Sequence, residues 1–235
     1  MTPRSRDILG VVIAVTAVAG CIGLGVWQVH RLRWRRERNA AILARRMAPV
    51  VELAGQRGAS VDSLRERQVR AHGVYDFERE RVWGARTWEG VPGVALLTPL
   101  RLADGSAIFV DRGWAPSVDA FHVDAARLRE PDSATVLGLA FAAPRDRGDV
   151  DPRRLADSIP YPVLPFVLLA LPDTLADRRL PAGLRRWPAP ELSNGPHLSY
   201  AIQWFSFAVI IAIGTWSLLR TASRENVEGK RQEQP

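Results

Sequence analysis

"GVALLTPLRLADGSAIFVDRGW", residues 93 to 114, sets two strand-length apolar runs on either side of "ADG". An Asp-Gly pair between two such runs is a turn signal, so the stretch predicts a β-hairpin. Its neighbours repeat the pattern. "RQVRAHGVYDF" (67–77) alternates Val69, Ala71, Gly73, Tyr75 and Phe77 against mainly polar residues, the period of a strand with one buried face. "RVWGART" (81–87) follows a charged turn at "ERE", and "ATVLGLAFAA" (134–143) and "PFVLLALPD" (165–173) add two more runs. Strands at such short intervals predict an antiparallel sheet or a small barrel. Only "DAFHVDAARLRE" (119–130) reads as locally helical, and "AAPRDRGDVDPRRLADSIPYPVLP" (142–165) reads as a long loop.

Outside this region the chain changes character. Ile8 to Val29 and Leu198 to Leu219 contain no charged residue, and each run is 22 residues long. As a helix such a run reaches about 33 Å at about 1.5 Å per residue, enough for a hydrocarbon core of about 30 Å. Soluble helices keep one polar face, so both runs read as transmembrane. The fold class expected is a membrane protein with two transmembrane α-helices, N- and C-terminal, flanking a mainly antiparallel β extramembrane domain. The plan is a cytoplasmic tail (1–7), a first transmembrane helix (8–29) and a juxtamembrane basic helix (30–49). A β-rich extracytoplasmic domain (50–196), a second transmembrane helix (197–219) and a cytoplasmic tail (220–235) follow. An apolar run that opens at residue 8 leaves no room for an organellar transit peptide. The wealth of Arg, Ala, Gly and Pro beside the single Lys230 fits a GC-rich genome, so a bacterial inner-membrane protein is expected.

The formal net charge of +7 comes almost entirely from arginine. A basic chain invites a nucleic-acid reading. Here the densest cluster, Arg31, Arg33, Arg35, Arg36 and Arg38, sits directly after the first span, where lipid headgroups or an anionic ligand explain it more simply. No nucleic-acid motif is present, and none is expected as a partner. Cys21 is the only cysteine, which excludes an internal disulfide and covalent haem attachment through C-x-x-C-H. "VAGC" (18–21) resembles a lipoprotein box, yet the apolar run continues beyond it. Ala17, Cys21 and Gly25 instead form a small-residue ridge suited to close helix packing. No nucleophile elbow, zinc-binding helix, phosphate loop or dinucleotide fingerprint occurs, so the residues give no argument for an enzyme.

Four stretches taken together carry a resemblance: "LGVWQVHRLRW" (24–34), "GVYDFERERVW" (73–83), "GVPGVALLTPLRLADGSAIFVDRGWAP" (90–116) and "HLSYAIQWF" (197–205). In order and spacing they resemble the surfeit locus protein 1 family of cytochrome oxidase assembly factors, as a bacterial member. The resemblance runs from the first span to the second. It departs at about 145–165, where the family carries a Trp followed by an Arg-Asp pair and this chain reads "RDRGDVDPRRLADSIPYP". What it implies is a two-span protein of the inner membrane with its large loop outside the cytoplasm. It further implies an accessory role for cytochrome c oxidase, whose catalytic subunit is the expected partner, with haem a as the ligand and haem a synthase as a further partner.

The residues offer a chemical check on that implication. A neutral imidazole nitrogen is a common axial haem ligand, and the porphyrin face takes apolar and aromatic cover. His197, Tyr200, Ala201, Trp204 and Ala208 recur at helical spacing on one face. His197 is therefore the candidate metal ligand, with Tyr200, Trp204 and Trp27 as aromatic cover. Arg31 is the candidate cation for the propionates, because its fork matches a carboxylate. One loop joins the two span ends, so Arg31 and His197 lie on the same side of the membrane. An interfacial histidine equally serves as a helix start or headgroup contact, and the tryptophans as an aromatic belt. Asp111, Arg112, Gly113 and Trp114 read as shaping a strand end and turn. Arginines near the spans divide evenly between loop side and tail side, so charge gives no orientation. Two further readings stay open: an oxidase scaffold that never binds haem, and a membrane-tethered sensor domain.

Overall fold

The computed structural model describes residues 3–53, 61–144, 151, 154, 158–173 and 179–232. It divides into two compact units, Met1–Ala40 with Leu192–Pro235, and Ala41–Glu191. The loop expected over 142–165, and the family departure at 145–165, lie partly outside the described residues.

The first unit is helical. α1 runs Pro3–Met47, and the second long helix, called α3 here, runs His197–Gln232. No proline interrupts α1 between its first residue and Pro49, two residues past its end. Pro196 precedes α3, and its carbonyl accepts the Tyr200 N–H at 3.2 Å and the Ser199 hydroxyl at 2.8 Å. Both helices are long and apolar enough to cross a membrane, with mean hydropathy of 2.4 and 1.7 in their most apolar stretches. They run antiparallel: the Asn39 amide donates to Ser193 O and Asn194 Oδ1 at 3.2 and 3.0 Å, while a Cβ on Gly25 would fall 2.7 Å from the Phe205 ring. The less exposed side of α1 follows Cys21, Gly25, Gln28, Leu32 and that of α3 follows His197, Ala201, Trp204, Ala208. Both step by four, three, four. This is the seven-residue period that keeps a seam between two helices in register. The expected small-residue ridge falls on that side.

The second unit is a sheet-rich domain. Its elements are β1 (Val51–Glu52), a short α2 (Val61–Leu64), β2 (Gln68–Tyr75), β3 (Arg81–Trp88), β4 (Val91–Leu102), β5 (Ala107–Pro116), β6 (Ser133–Ala142) and β7 (Val163–Ala170). The sheet order is β1-β2-β6-β7-β5-β4-β3, and an additional β2–β4 pairing closes β2, β6, β7, β5 and β4 into a barrel. Five pairings are antiparallel; β1–β2 and β5–β7 are parallel. The expected hairpin is β4–β5. Its turn places Gly105 at φ +80°, and Asp104 Oδ1 accepts from the Ser106 N–H at 3.0 Å and the Ser106 hydroxyl at 2.7 Å. The stretch read as helical contributes only a 3-10 turn, Ala125–Leu128.

β4 explains why its sequence is a continuous apolar run instead of an alternation. Val94 and Leu96 point into one cluster, Ala95 and Leu97 into another, so both faces are covered. Leu100 and Leu102 then enter the barrel interior beside Val69, Ile108, Phe166 and Leu168. β4 also changes partner along one edge: Leu97 pairs with β3 and Leu100 with β2. Pro99 stands at that changeover. Its carbonyl accepts the Asp76 N–H at 2.8 Å on this edge, and the absent N–H faces the same way, where a ladder donor has no strand opposite it. Gly73 lies on the closing seam; a Cβ there would fall 2.2 Å from Arg101 O, so a side chain would force β2 and β4 apart.

Candidate functional site

His197 opens α3, with Gly195 two residues before it at φ +69°. Its Nδ1 lies 2.8 Å from Gln28 Oε1 on α1. Because a carbonyl oxygen only accepts, the bond places a proton on Nδ1, and the neutral tautomer that it selects has its lone pair on Nε2. That is the form in which imidazole ligates a metal, with its other nitrogen held by an oriented acceptor. A Cβ on Gly195 would stand 3.4 Å from Nε2, an ordinary contact, so it is the positive φ that calls for glycine there.

The remaining candidates divide. Ala201 and Ala208 are buried on the seam, and Trp204 is half-buried with the Phe207 ring edge-on at 6.0 Å. Tyr200 is 47% exposed and Trp27 57% exposed, so both stand on the outer surface of the helix pair. The Arg31 guanidinium lies 4.3 Å from the Trp34 ring centre. The structure thus joins His197 to Gln28, while Arg31 pairs with Trp34. Gln28 was not singled out from the sequence. The usable signal was an amide inside an apolar span, since polar side chains there are costly and mark packing or function. Among the described residues, no group of three or more His, Cys, Asp or Glu could hold a metal ion.

The β unit carries a second concentration of chemistry at one end of the barrel. β5 bulges there: Leu96 pairs with Gly113 and Leu97 with Asp111, which leaves Arg112 as the extra residue. Gly113 takes φ +127°, and a Cβ would fall 2.1 Å from Arg185 O, so only glycine fits. The four residues expected at a strand end therefore lie within β5, which continues to Pro116. The bulge sends the Arg112 side chain inward, where it is 0% exposed. Its Nη2 meets Glu80 Oε2 at 2.5 Å, Nε meets Thr98 Oγ1 at 2.8 Å, and Nη1 meets Leu128 O at 2.7 Å and Glu130 Oε1 at 3.1 Å. Arg186 completes the group with Glu130 Oε2 at 2.5 Å and a hydrogen bond to Arg112 O. Two arginines thus balance two glutamates, and the Thr98 hydroxyl donates to Glu80 Oε2 within the same group.

Asp111, beside the bulge, is different. Burial pushes its carboxyl up to about 7, against the pull of the Gly113 N–H bond and the Arg86 and Arg186 charges. A raised carboxyl means the folded state holds its proton longer than the unfolded chain does. Stability from this group is therefore greatest below about pH 4 and falls as pH rises towards 7. Asp111→Asn copies the protonated form and keeps an acceptor for Gly113. It should raise the unfolding midpoint of the detergent-solubilised chain at pH 8, with a ceiling of about 4 kcal/mol, and change little at pH 4. Equal shifts at both pH values would show that Asp111 ionises normally.

The comparisons with known proteins bear on this arrangement. The sequence profile of the SURF1 family matches residues 15–209, from within α1, through the barrel, to the middle of α3. The chain belongs to the SURF1 family. An uncharacterized SURF1-like protein of Mycobacterium tuberculosis is 26% identical over 244 aligned positions, covering 96% of this chain and 88% of its own. A SURF1-like protein of Monosiga brevicollis is 25% identical, covering 84% and 82%. The surfeit locus protein 1 of Takifugu rubripes is 30% identical over 42% of this chain and 47% of its own. The mycobacterial likeness, with its near-complete coverage, makes this a bacterial SURF1 family member. SURF1 proteins are known generally as oxidase assembly factors, and His197, Gln28 and the Arg112 bulge all fall inside the matched span.

Proposed function

We propose that this SURF1 protein is a non-enzymatic assembly factor of the bacterial inner membrane that holds haem a as cargo for the catalytic subunit of cytochrome c oxidase. The observation that carries the reading is the His197–Gln28 hydrogen bond, which engages Nδ1 and leaves Nε2 as the nitrogen for a ligand at the start of an apolar helix. His197 supplies the axial nitrogen. Trp204, Tyr200 and Trp27 give the macrocycle aromatic cover, and the exposure of the last two leaves a flat ligand room to lie against the helix pair. Arg31 sits one turn past Trp27 on α1, as a cation for a propionate. Haem a synthase is the partner that supplies the cargo, and the β unit faces outside the cytoplasm.

A scaffold role without haem is favoured by one observation, the stacking of Arg31 on Trp34 at 4.3 Å, which occupies the cation otherwise assigned to the propionates. The test is an absorption spectrum of the full chain purified from cells that also make haem a. The haem reading expects a haem band near one haem per chain. A colourless protein, from cells whose oxidase nevertheless fails to mature when the chain is deleted, would leave the scaffold. A normal oxidase after deletion would overturn the assembly role altogether.

A further inference from the structure

The barrel is not paired all the way round. β6 begins at Ser133, but β7 ends at Ala170, opposite Gly138. The chain departs there after one more bond, from the Leu171 N–H to Leu137 O at 3.0 Å. Successive residues of a strand direct their backbone groups to opposite edges. Ala140 exchanges bonds with Arg67 and Glu66 on the β2 side, and Asp132 O accepts from Tyr75 N–H on that side too. Even-numbered residues of β6 therefore serve β2. Odd-numbered ones face β7, and below Leu137 these are Thr135 and Ser133. Among the described residues, nothing pairs with the N–H and C=O groups of those two on that edge.

The vacated lane is a real space. A cleft of about 660 Å³ lies along it, lined on one side by Ser133 to Leu137 and on the other by Glu130, Arg179 and Arg186. Tyr75 lines its floor. The ring is 5% exposed, and its buried hydroxyl has no hydrogen-bond partner. Burial and the Glu130 charge raise its pKa, so it stays a neutral donor. A closed barrel normally abolishes free edges, and a buried phenol normally finds an acceptor. Both exceptions meet in one cleft.

We infer that this cleft binds an extended peptide segment of a partner protein, which takes the place β7 vacates and adds a strand to β6. The edge dictates the class of ligand: donor and acceptor pairs two residues apart along a strand match only an extended backbone, and main-chain bonds supply the affinity. The Tyr75 hydroxyl adds a donor for a peptide carbonyl. Charge sets a further preference. Glu130 is already balanced by Arg112 and Arg186; of the two other charged groups on the lining, Asp173 is itself engaged and Arg179 stands exposed at the rim without an ion-pair partner among the described residues. An acidic residue beside the paired segment, or a chain-terminal carboxylate, complements it.

The choice of probe rests on the assembly role proposed above: fluorescent decapeptides tiling the extramembrane segments of the oxidase catalytic subunit, titrated against the full chain in detergent. At least one peptide should bind, and N-methylation at its alternate, cleft-facing amides should weaken it about tenfold or more. Thr135→Pro removes an N–H that faces the cleft and none that serves β2, but also the hydroxyl that meets His72 Nδ1 at 2.9 Å; Thr135→Ala loses the hydroxyl alone, so against Thr135→Ala the proline variant should keep the unfolding midpoint while binding falls about tenfold. Tyr75→Phe should weaken binding about fivefold, and more for peptides whose carbonyl cannot reach elsewhere. Absence of any binding peptide, or binding indifferent to Thr135→Pro with the fold intact, would overturn the inference. Either result, with oxidase maturation still dependent on the chain, leaves the assembly role standing; loss of that dependence would remove the role itself.

Discussion

Replacing Arg112 with methionine should destabilise the β unit by about 3–5 kcal/mol, because it strands buried carboxylates without a counter-charge. The side chain is wholly buried and bridges Glu80, Thr98, Leu128 and Glu130. The Glu80 and Glu130 side chains are only 7% and 10% exposed. Domain stability is commonly about 5–15 kcal/mol in total, so the loss is close to unfolding. Lysine is no substitute. It carries the charge as a point and cannot span four acceptors in different directions. The informative control is Arg112→Met combined with Glu80→Gln, which leaves Arg186 and Glu130 as a neutral pair. Removing the charges together should recover much of the loss, since an intact buried ion group contributes little net stability. Chemical unfolding of the full chain in detergent, followed by tryptophan fluorescence, measures the series. A cost for Arg112→Met below about 1 kcal/mol would mean that water reaches the group and that the bulge does not depend on it.

That bulge marks where sequence reading stops. The β4–β5 hairpin was legible, because "ADG" and its flanking runs are local signals that the turn geometry obeys. The strand segments of β2, β3, β6 and β7 were legible for the same reason, to within a few residues at their ends. The closure through β2–β4 and the parallel β5–β7 pair were not, since pairing partners far apart in sequence leave no mark on local periodicity. "DRGW" looked like a turn because Asp and Gly usually signal one. Here they serve a bulge instead: Asp111 Oδ1 accepts the Gly113 N–H at 3.0 Å, Gly113 takes the positive φ, and Arg112 is turned into the core. On the helical side, the two long apolar helices and the seam positions His197, Ala201, Trp204 and Ala208 could be read from charge and spacing, while Tyr200, expected on the same face, stands on the outer surface. Gln28 could not be assigned a partner, because the contact it makes spans 169 positions of chain.

His197→Ala should abolish haem retention while leaving insertion and the fold in place, since a half-buried interfacial imidazole contributes little packing. Gln28 makes the test sharper than the histidine alone. Gln28→Ala leaves the ligand present but frees its ring, and loss of such an orienting partner commonly costs about 10–100-fold in metal affinity. Gln28→Glu keeps an acceptor at the same reach and should retain the cargo. A residue that merely packed would show no such ordering. Arg31→Ala should have a milder effect, because exposed charge pairs contribute about 0–1 kcal/mol and neighbouring arginines can substitute. His30, which is exposed on α1, is the competing ligand, so His30→Ala and the double change with His197 belong in the series. Each is scored as haem per protein after co-expression with haem a synthesis. Full retention in His197→Ala with loss in His30→Ala would move the site to α1. Retention in the double variant would remove histidine from the binding of haem at this end of the helix pair, and Gln28 would then be no more than a packing contact between the two helices.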